Sequence, residues 1–203
     1  MKHTVNKKSI LLVTAIAIIL FLLWYSGIMG LWIYGMAYIA NNTKDFTDAN
    51  SYTVQGKYNL IINLEDLQSN IGKELYNDGT NRIYVSWIDN TGSAYTGGYR
   101  IGFRSCGEYS LTGAAFVSGA RHATVDKQAF TTYMTATMTA EMYNKTYDSH
   151  VYSTGGLNYK DGDDFSFYLF PLEAYDNGEI SLTEKGNVQL TVTNLYKNVW
   201  TRK

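Results

Sequence analysis

Cys106, His122 and His150 are the side chains in this sequence best suited to nucleophilic chemistry, because a thiol attacks as its thiolate and a neighbouring imidazole can take the proton. A Cys106/His122 or Cys106/His150 dyad is the pairing this allows, with Ser105-Cys106 and the stretch SGARH (118–122) as the nearest approach to a motif. No G-x-S-x-G turn, which would expose a serine nucleophile, is present. A surface histidine and a packed cysteine account for the same residues, so no catalytic residue is assigned and no enzyme activity is expected.

Hard-cation binding would need clustered oxygen ligands. YKDGDDFSF supplies Asp161, Asp163 and Asp164, and EAYDNGEI supplies Glu173, Asp176, Asn177 and Glu179. Phe165 interrupts the alternate-position ligand series of an EF-hand, and one strand of about 25 Å separates the two turns. They read as solvated hairpin turns, with Asp161, Asp163 and Asp164 the metal candidates to be checked. No histidine pair, CxxC or HExxH exists, so neither zinc nor any other cofactor is expected.

The remaining chemistry is aromatic. The chain carries 18 Tyr and 4 Trp, and exposed rings serve equally to stack on carbohydrate or to form a protein interface. Tyr95, Tyr99, Tyr133 and Tyr143 are the candidate binding surface, and the sequence leaves the two uses open. The net charge of -1, with no basic stripe, excludes nucleic acid and argues against direct headgroup binding.

Residues 9–40 form the element that dominates the chain. SILLVTAIAIILFLLWYSGIMGLWIYGMAYIA contains no charge, and about 20 apolar residues suffice to cross a bilayer as a helix. Lys2, Lys7 and Lys8 precede it with no acid, whereas Lys44, Asp45 and Asp48 follow it, so the N-terminus (1–8) is placed in the cytoplasm and the rest outside. An uncleaved anchor is expected, since a secretory signal has a much shorter apolar core. Gly35 and Ala37 are the small residues a signal reading would use.

As one helix the run would measure about 48 Å against a hydrocarbon core of about 30 Å. Its second half concentrates Trp24, Tyr25, Trp32, Tyr34 and Tyr38, as expected near headgroups. It also places Ser26, Gly30, Ile33 and Ala37 on one stripe beside Gly27, which is predicted as a contact for helix pairing with itself or a partner.

Residues 41–51, NNTKDFTDANS, read as a polar linker. Strand-like segments follow at 52–64, 82–89, 99–105, 108–118, 165–172, 179–183 and 187–200, punctuated by turns such as Asn77-Asp78-Gly79 and Asp161-Gly162. In FTTYMTATMTAEMY, Phe130, Met134, Ala136, Met138, Ala140 and Met142 alternate with polar residues, which predicts a long strand that needs a bend. NLEDLQSNIGKELYNDG repeats Leu64, Leu67, Ile71 and Leu75 at helical spacing after Asn63, predicting one short helix. Pro171 is expected near the end of an edge strand. The single cysteine leaves no internal disulfide, so the domain at 52–203 must be held by its core.

The expected class is therefore mainly β: an N-terminal transmembrane helix followed by an antiparallel β-sandwich, Ig-like or jelly-roll-like. The expected function is a single-pass, non-enzymatic extracytoplasmic module of a cell envelope, engaging another envelope protein as part of a membrane or secretion assembly. A basic leader, an apolar helix and a β head also resemble archaeal type IV pilins in architecture, with Lys8-Ser9 near the processing point, which would imply a filament subunit. The glutamate that bacterial type IV pilins carry soon after that point is absent. A glycan- or calcium-binding envelope domain is the third expectation.

Overall fold

The computed structural model describes residues 7–125 and 129–203. The basic leader before Lys7, including Lys2, lies outside them. Three helices come first: α1 (Lys7–Tyr25), α2 (Ile28–Tyr34) and α3 (Met36–Asn41). Strands follow in chain order: β1 (Phe46–Asp48), β2 (Tyr52–Val54), β3 (Tyr58–Asn63), β4 (Glu74–Asn77), β5 (Arg82–Asn90), β6 (Tyr99–Cys106), β7 (Glu108–Ser110) and β8 (Gly113–Ser118). The series continues with β9 (Ala120–Val125), β10 (Ala129–Met134), β11 (Thr137–Met142), β12 (Lys145–Ser149), β13 (Val151–Thr154), β14 (Asp164–Tyr168), β15 (Asn187–Thr193) and β16 (Leu195–Arg202), with the one-turn α4 (Leu172–Asp176) between β14 and β15.

Every strand pairing among the described residues is antiparallel. The sheet β12-β11-β15-β3 faces the sheet β13-β14-β6-β5-β4. Between them lies a core that includes Leu60, Ile62, Val85, Phe103, Met138, Phe165, Val188 and Leu190. Alternation drives this burial: in β15, Val188, Leu190 and Val192 point inward while Gln189 points to solvent, as a half-buried strand requires. A third sheet, β1-β16-β8-β7 with β2 also on β16, joins the β9/β10 hairpin around a second core. The observed class is mainly β, with sandwich-like antiparallel sheets and few helices.

The long strand predicted over 130–143 is extended and bent. Thr135 and Ala136 both donate their backbone N–H to the Gly119 carbonyl (2.9 and 2.8 Å), so the β10-to-β11 path and the β8-to-β9 path turn at one place. The apolar face of β11 is buried through Met138, Ala140 and Met142, as its alternation predicts. The 187–200 segment divides at Asn194, whose φ of 58° swings the chain from β15 in one sheet to β16 in another.

Several local expectations are corrected. The helix predicted around Leu64–Leu75 is a single 3-10 turn, Leu67–Asn70, followed by β4. Asn70 is buried and its amide donates to the carbonyls of Asn63, Asp66 and Leu67, so a side chain takes over acceptors that a continuing helix would have used. The strand predicted at 179–183 is a turn, because Glu184 accepts from the Ser181 backbone N–H (2.9 Å) and curls the segment while Ile180 stays buried. Pro171 lies just beyond the end of β14, but that strand is interior, between β13 and β6, and Pro171 leads into α4. Residues 41–51 are no free linker: β1 pairs with β16 from Phe46↔Arg202 to Asp48↔Trp200, and Phe46 is buried in the second core.

Candidate membrane-facing site

The apolar run is not one helix. α1 ends at Tyr25 and the chain turns through Ser26 and Gly27 into α2, with 70° between the Ile10–Tyr25 and Ile28–Tyr34 arms. No single helix among the described residues is long and apolar enough to cross a membrane; these two arms meet the length and composition only together, across that bend. α1 is exposed along almost its whole length, including the large apolar side chains of Leu11, Val13, Phe21 and Leu22, with Leu23 half-buried near its end. A helix apolar all round has no soluble face to present to water.

The bend and the next turn follow from two glycines. Gly27 takes a φ of 83° and approaches Tyr38 so closely that a Cβ there would sit 2.8 Å from the hydroxyl oxygen. Gly35 takes a φ of 56° and lies against the Lys160 backbone, where a side chain would strike the carbonyl. Gly30 lies so close to the Tyr38 ring that a Cβ there would strike it. α3 folds back on α2 through these contacts, and Met36 donates its backbone N–H to the Lys160 carbonyl (2.8 Å).

Consequently the predicted stripe is dispersed. Ser26 lies in the bend, where its hydroxyl donates to the Leu23 carbonyl (3.0 Å), Gly30 and Ile33 lie on α2, and Ala37 lies on α3. Gly27 and Gly30 accommodate Tyr38 of the same chain. Trp24, Tyr25, Trp32 and Tyr34 are 74%, 81%, 69% and 61% exposed, whereas Tyr38 is packed edge-on to Phe46 with centroids 6.4 Å apart. Four of the five predicted interface aromatics are therefore exposed, and the fifth, Tyr38, is half-buried against Phe46.

α3 belongs to the β head. Met36, Ile39 and Ala40 are buried with Phe46, Ala114, Phe116, Leu157 and Trp200, and each large side chain so buried contributes about 1.5–3 kcal/mol. A groove of about 400 Å³ lined by Tyr34, Ala37, Tyr38, Asn41 and Asn42 opens between α2 and α3. Around the root of the helices stand four exposed cations that the sequence scatters widely: Lys44, Lys160, Arg202 and Lys203. Lys160 Nζ lies 5.9 Å from the Trp32 ring centroid, Lys203 Nζ donates to the Thr43 carbonyl (2.6 Å), and Arg202 borders the bend with Tyr25, Ser26 and Gly27. Asp45 stands among them, its carboxylate accepting from the Asn42 amide (3.0 Å).

The candidate chemistry elsewhere separates. Asp161 pairs with Arg104, and Asp163 is fully buried with its Oδ2 accepting from Ser118 Oγ (2.6 Å) and lying 2.6 Å from His122 Nε2. Asp164 points apart toward Asn158, and burial pushes its carboxyl up. Among the described residues no group of three His, Cys, Asp or Glu side chains converges as a metal site. His122 lies tilted against Phe116 and edge-on to Phe130, and its Nδ1 lies 3.0 Å from Thr132 Oγ1 while Nε2 faces Asp163, so both ring nitrogens are engaged away from Cys106. Burial pushes the Cys106 thiol up, which reduces its thiolate form.

This Ser118–Asp163–His122–Thr132 network went unseen in the sequence because SGARH and DGDD are 41 residues apart at their His122 and Asp163 members. Of the four tyrosines, Tyr99 is buried, its hydroxyl donating to the Leu182 carbonyl (3.0 Å). Tyr95, Tyr133 and Tyr143 are exposed, the last donating to Glu184 (2.6 Å). No family model, curated protein or solved structure matches this chain.

Proposed function

We propose that the chain is a membrane-anchored, non-enzymatic module whose β head is held at the outer face of a bilayer to engage another envelope protein. The carrying observation is α1, exposed along almost its whole length and joined through a bend to α3, which is buried in the head. The Ile10–Tyr25 and Ile28–Tyr34 arms form the membrane element, with Lys7 and Lys8 at its cytoplasmic end. Cleavage after Ala37 or Ala40 would strip Met36 from the second core, which favours an uncleaved anchor. Exposed Tyr95, Tyr133 and Tyr143 supply contact area on the head at low entropic loss.

Two measurements test this reading. Alkaline extraction of membranes should leave the chain in the pellet with Met1 at its N-terminus by mass spectrometry, whereas a mature terminus at Tyr38 or Asn41 would refute the anchor. Crosslinking in intact membranes should recover a second envelope protein, and recovery of this chain alone would refute the hetero-partner.

A further inference from the structure

We propose that α2 and the cations at its root form a collar that lies on the membrane surface and binds anionic phospholipid headgroups, fixing one face of the β head against the bilayer. This rests on the membrane reading above and names the lipid chemistry of that site. The sequence argues against headgroup binding because its basic residues form no run. The fold assembles them instead: Lys44 in the turn after α3, Lys160 beside Trp32, and Arg202 and Lys203 at the end of β16. None of the four forms a salt bridge among the described residues, where Arg82, Arg100, Arg104, Lys145 and Lys185 all do.

Geometry brings this collar to lipid. The apolar arm Ile10–Tyr25 is about 24 Å long, shorter than a hydrocarbon core of about 30 Å. A short span is accommodated by snorkelling of flanking residues and local thinning, which draws whatever adjoins the span down to the headgroups. The 70° bend then turns α2 nearly into the membrane plane, with Ile28, Trp32 and Ile33 on its exposed side and Tyr38 filling the other. Aromatic rings at headgroup depth beside cations are the pattern of an interfacial helix on an anionic surface. Since α3 is buried in the second core and the Gly35 turn is bonded to Lys160, the head has no free linker about which to swing.

The full chain would be reconstituted in vesicles of phosphatidylcholine alone or of an equimolar mixture with phosphatidylglycerol, each containing lipid brominated high on the acyl chain. Trp24→Phe leaves Trp32 as the tryptophan at the membrane, and a Trp24→Phe, Trp32→Phe chain gives the background from Trp87 and Trp200. Trp32 should be quenched, and more strongly by at least about twofold in the anionic vesicles. Replacing Lys44, Lys160, Arg202 and Lys203 by Gln, or raising the salt to shorten the screening length, should remove that difference while flotation with vesicles persists. Lys160→Gln alone, on one exposed side chain, should lower it in part. A chain that floats but shows no Trp32 quenching, or quenching that ignores lipid charge and the Gln substitutions, overturns the collar. A chain that fails to float with either vesicle overturns the anchor itself.

Discussion

Truncating Ile39 tests whether the apolar run and the β head are one folding unit. Ile39 is fully buried beside Met36, Phe116 and Trp200, and replacing a buried Ile by Ala costs about 2–5 kcal/mol through lost transfer energy and the cavity left behind. Against a domain stability of about 5–15 kcal/mol, Ile39→Ala should remove a large fraction of the total. The full chain in mild detergent can be unfolded in urea and followed by tryptophan fluorescence, since Trp200 stacks on Phe116 at 6.2 Å within the same core. With a urea dependence of about 2 kcal/mol per molar, the midpoint should fall by about 1–2.5 M. Leu190→Ala, in the main sandwich, should shift the same single transition. If α3 were only a tether, Ile39→Ala would behave as a surface change, within about 0.5 kcal/mol of the parent. That result, or a transition separate from the one Leu190→Ala moves, would refute the assignment of α3 to the core.

Other consequences follow from the same contacts. Gly30→Ala should destabilise the α2–α3 packing by about 1–3 kcal/mol because its Cβ meets the Tyr38 ring, and Tyr38→Ala in the same chain should show non-additivity in a double-mutant cycle. Asp163→Ala leaves His122 Nε2 and Ser118 Oγ without their buried acceptor, so chemical denaturation should register a loss of about 1–3 kcal/mol for each group left unsatisfied. Burial works against the Asp78 carboxylate, but hydrogen bonds from the Asn81 backbone and side chain, the Thr80 amide and the Tyr76 hydroxyl outweigh it and bring the group down to about 2. Its contribution is therefore complete above its ordinary value of 3.8 and is lost as the pH falls toward 2. A stability profile of Asp78→Asn should be flatter than the parent's in that window and unchanged in shape near neutrality.

The β class was legible because period-2 alternation is a local signal: β11 and β15 bury the faces that their sequences mark as apolar. The breaks were less legible. Residues 52–64 look like one strand but divide into β2 and β3 on different sheets, and 108–118 divides into the β7/β8 hairpin, since where a strand changes partners depends on the sheet it meets. β1 escaped notice because Phe46 is the one large apolar residue in a polar stretch, buried beside a strand whose paired residue, Arg202, lies 156 residues later. The helical spacing of Leu64 to Leu75 misled for the opposite reason. The pattern was periodic, but Leu64 and Leu75 are buried in the core while Ile71 is exposed and the Asn70 amide holds the turn between them.

Of the candidate sites, the aromatic identities at Trp24, Tyr25, Trp32 and Tyr34 could be read from the sequence, and their geometry could not. A stripe drawn on an ideal helix assumed continuous rotation through Ser26, Gly30, Ile33 and Ala37. The glycines that suggested a close helix pair instead permit close approach by Tyr38, a residue inside the same run. The physical signal is common to both outcomes, since a backbone without Cβ admits a neighbour, and sequence alone does not say which neighbour.

That distinction changes what the excess apolar length means. A run of 32 uncharged residues serving as one helix would measure about 48 Å and, with about 30 Å of it in hydrocarbon, would set the head on a stalk about 18 Å long, free to pivot. Divided as it is, the run ends inside the second core, and its middle part carries exposed rings at an angle of 70° to the first. On the membrane reading, its apolar residues then have three destinations: hydrocarbon for α1, the interface for α2 and the protein core for α3. A partner would meet a head presented at a fixed height and orientation, so less orientational freedom would remain to be lost on association. Such an arrangement favours engagement of another protein embedded in or lying on the same bilayer over capture of a soluble ligand from above.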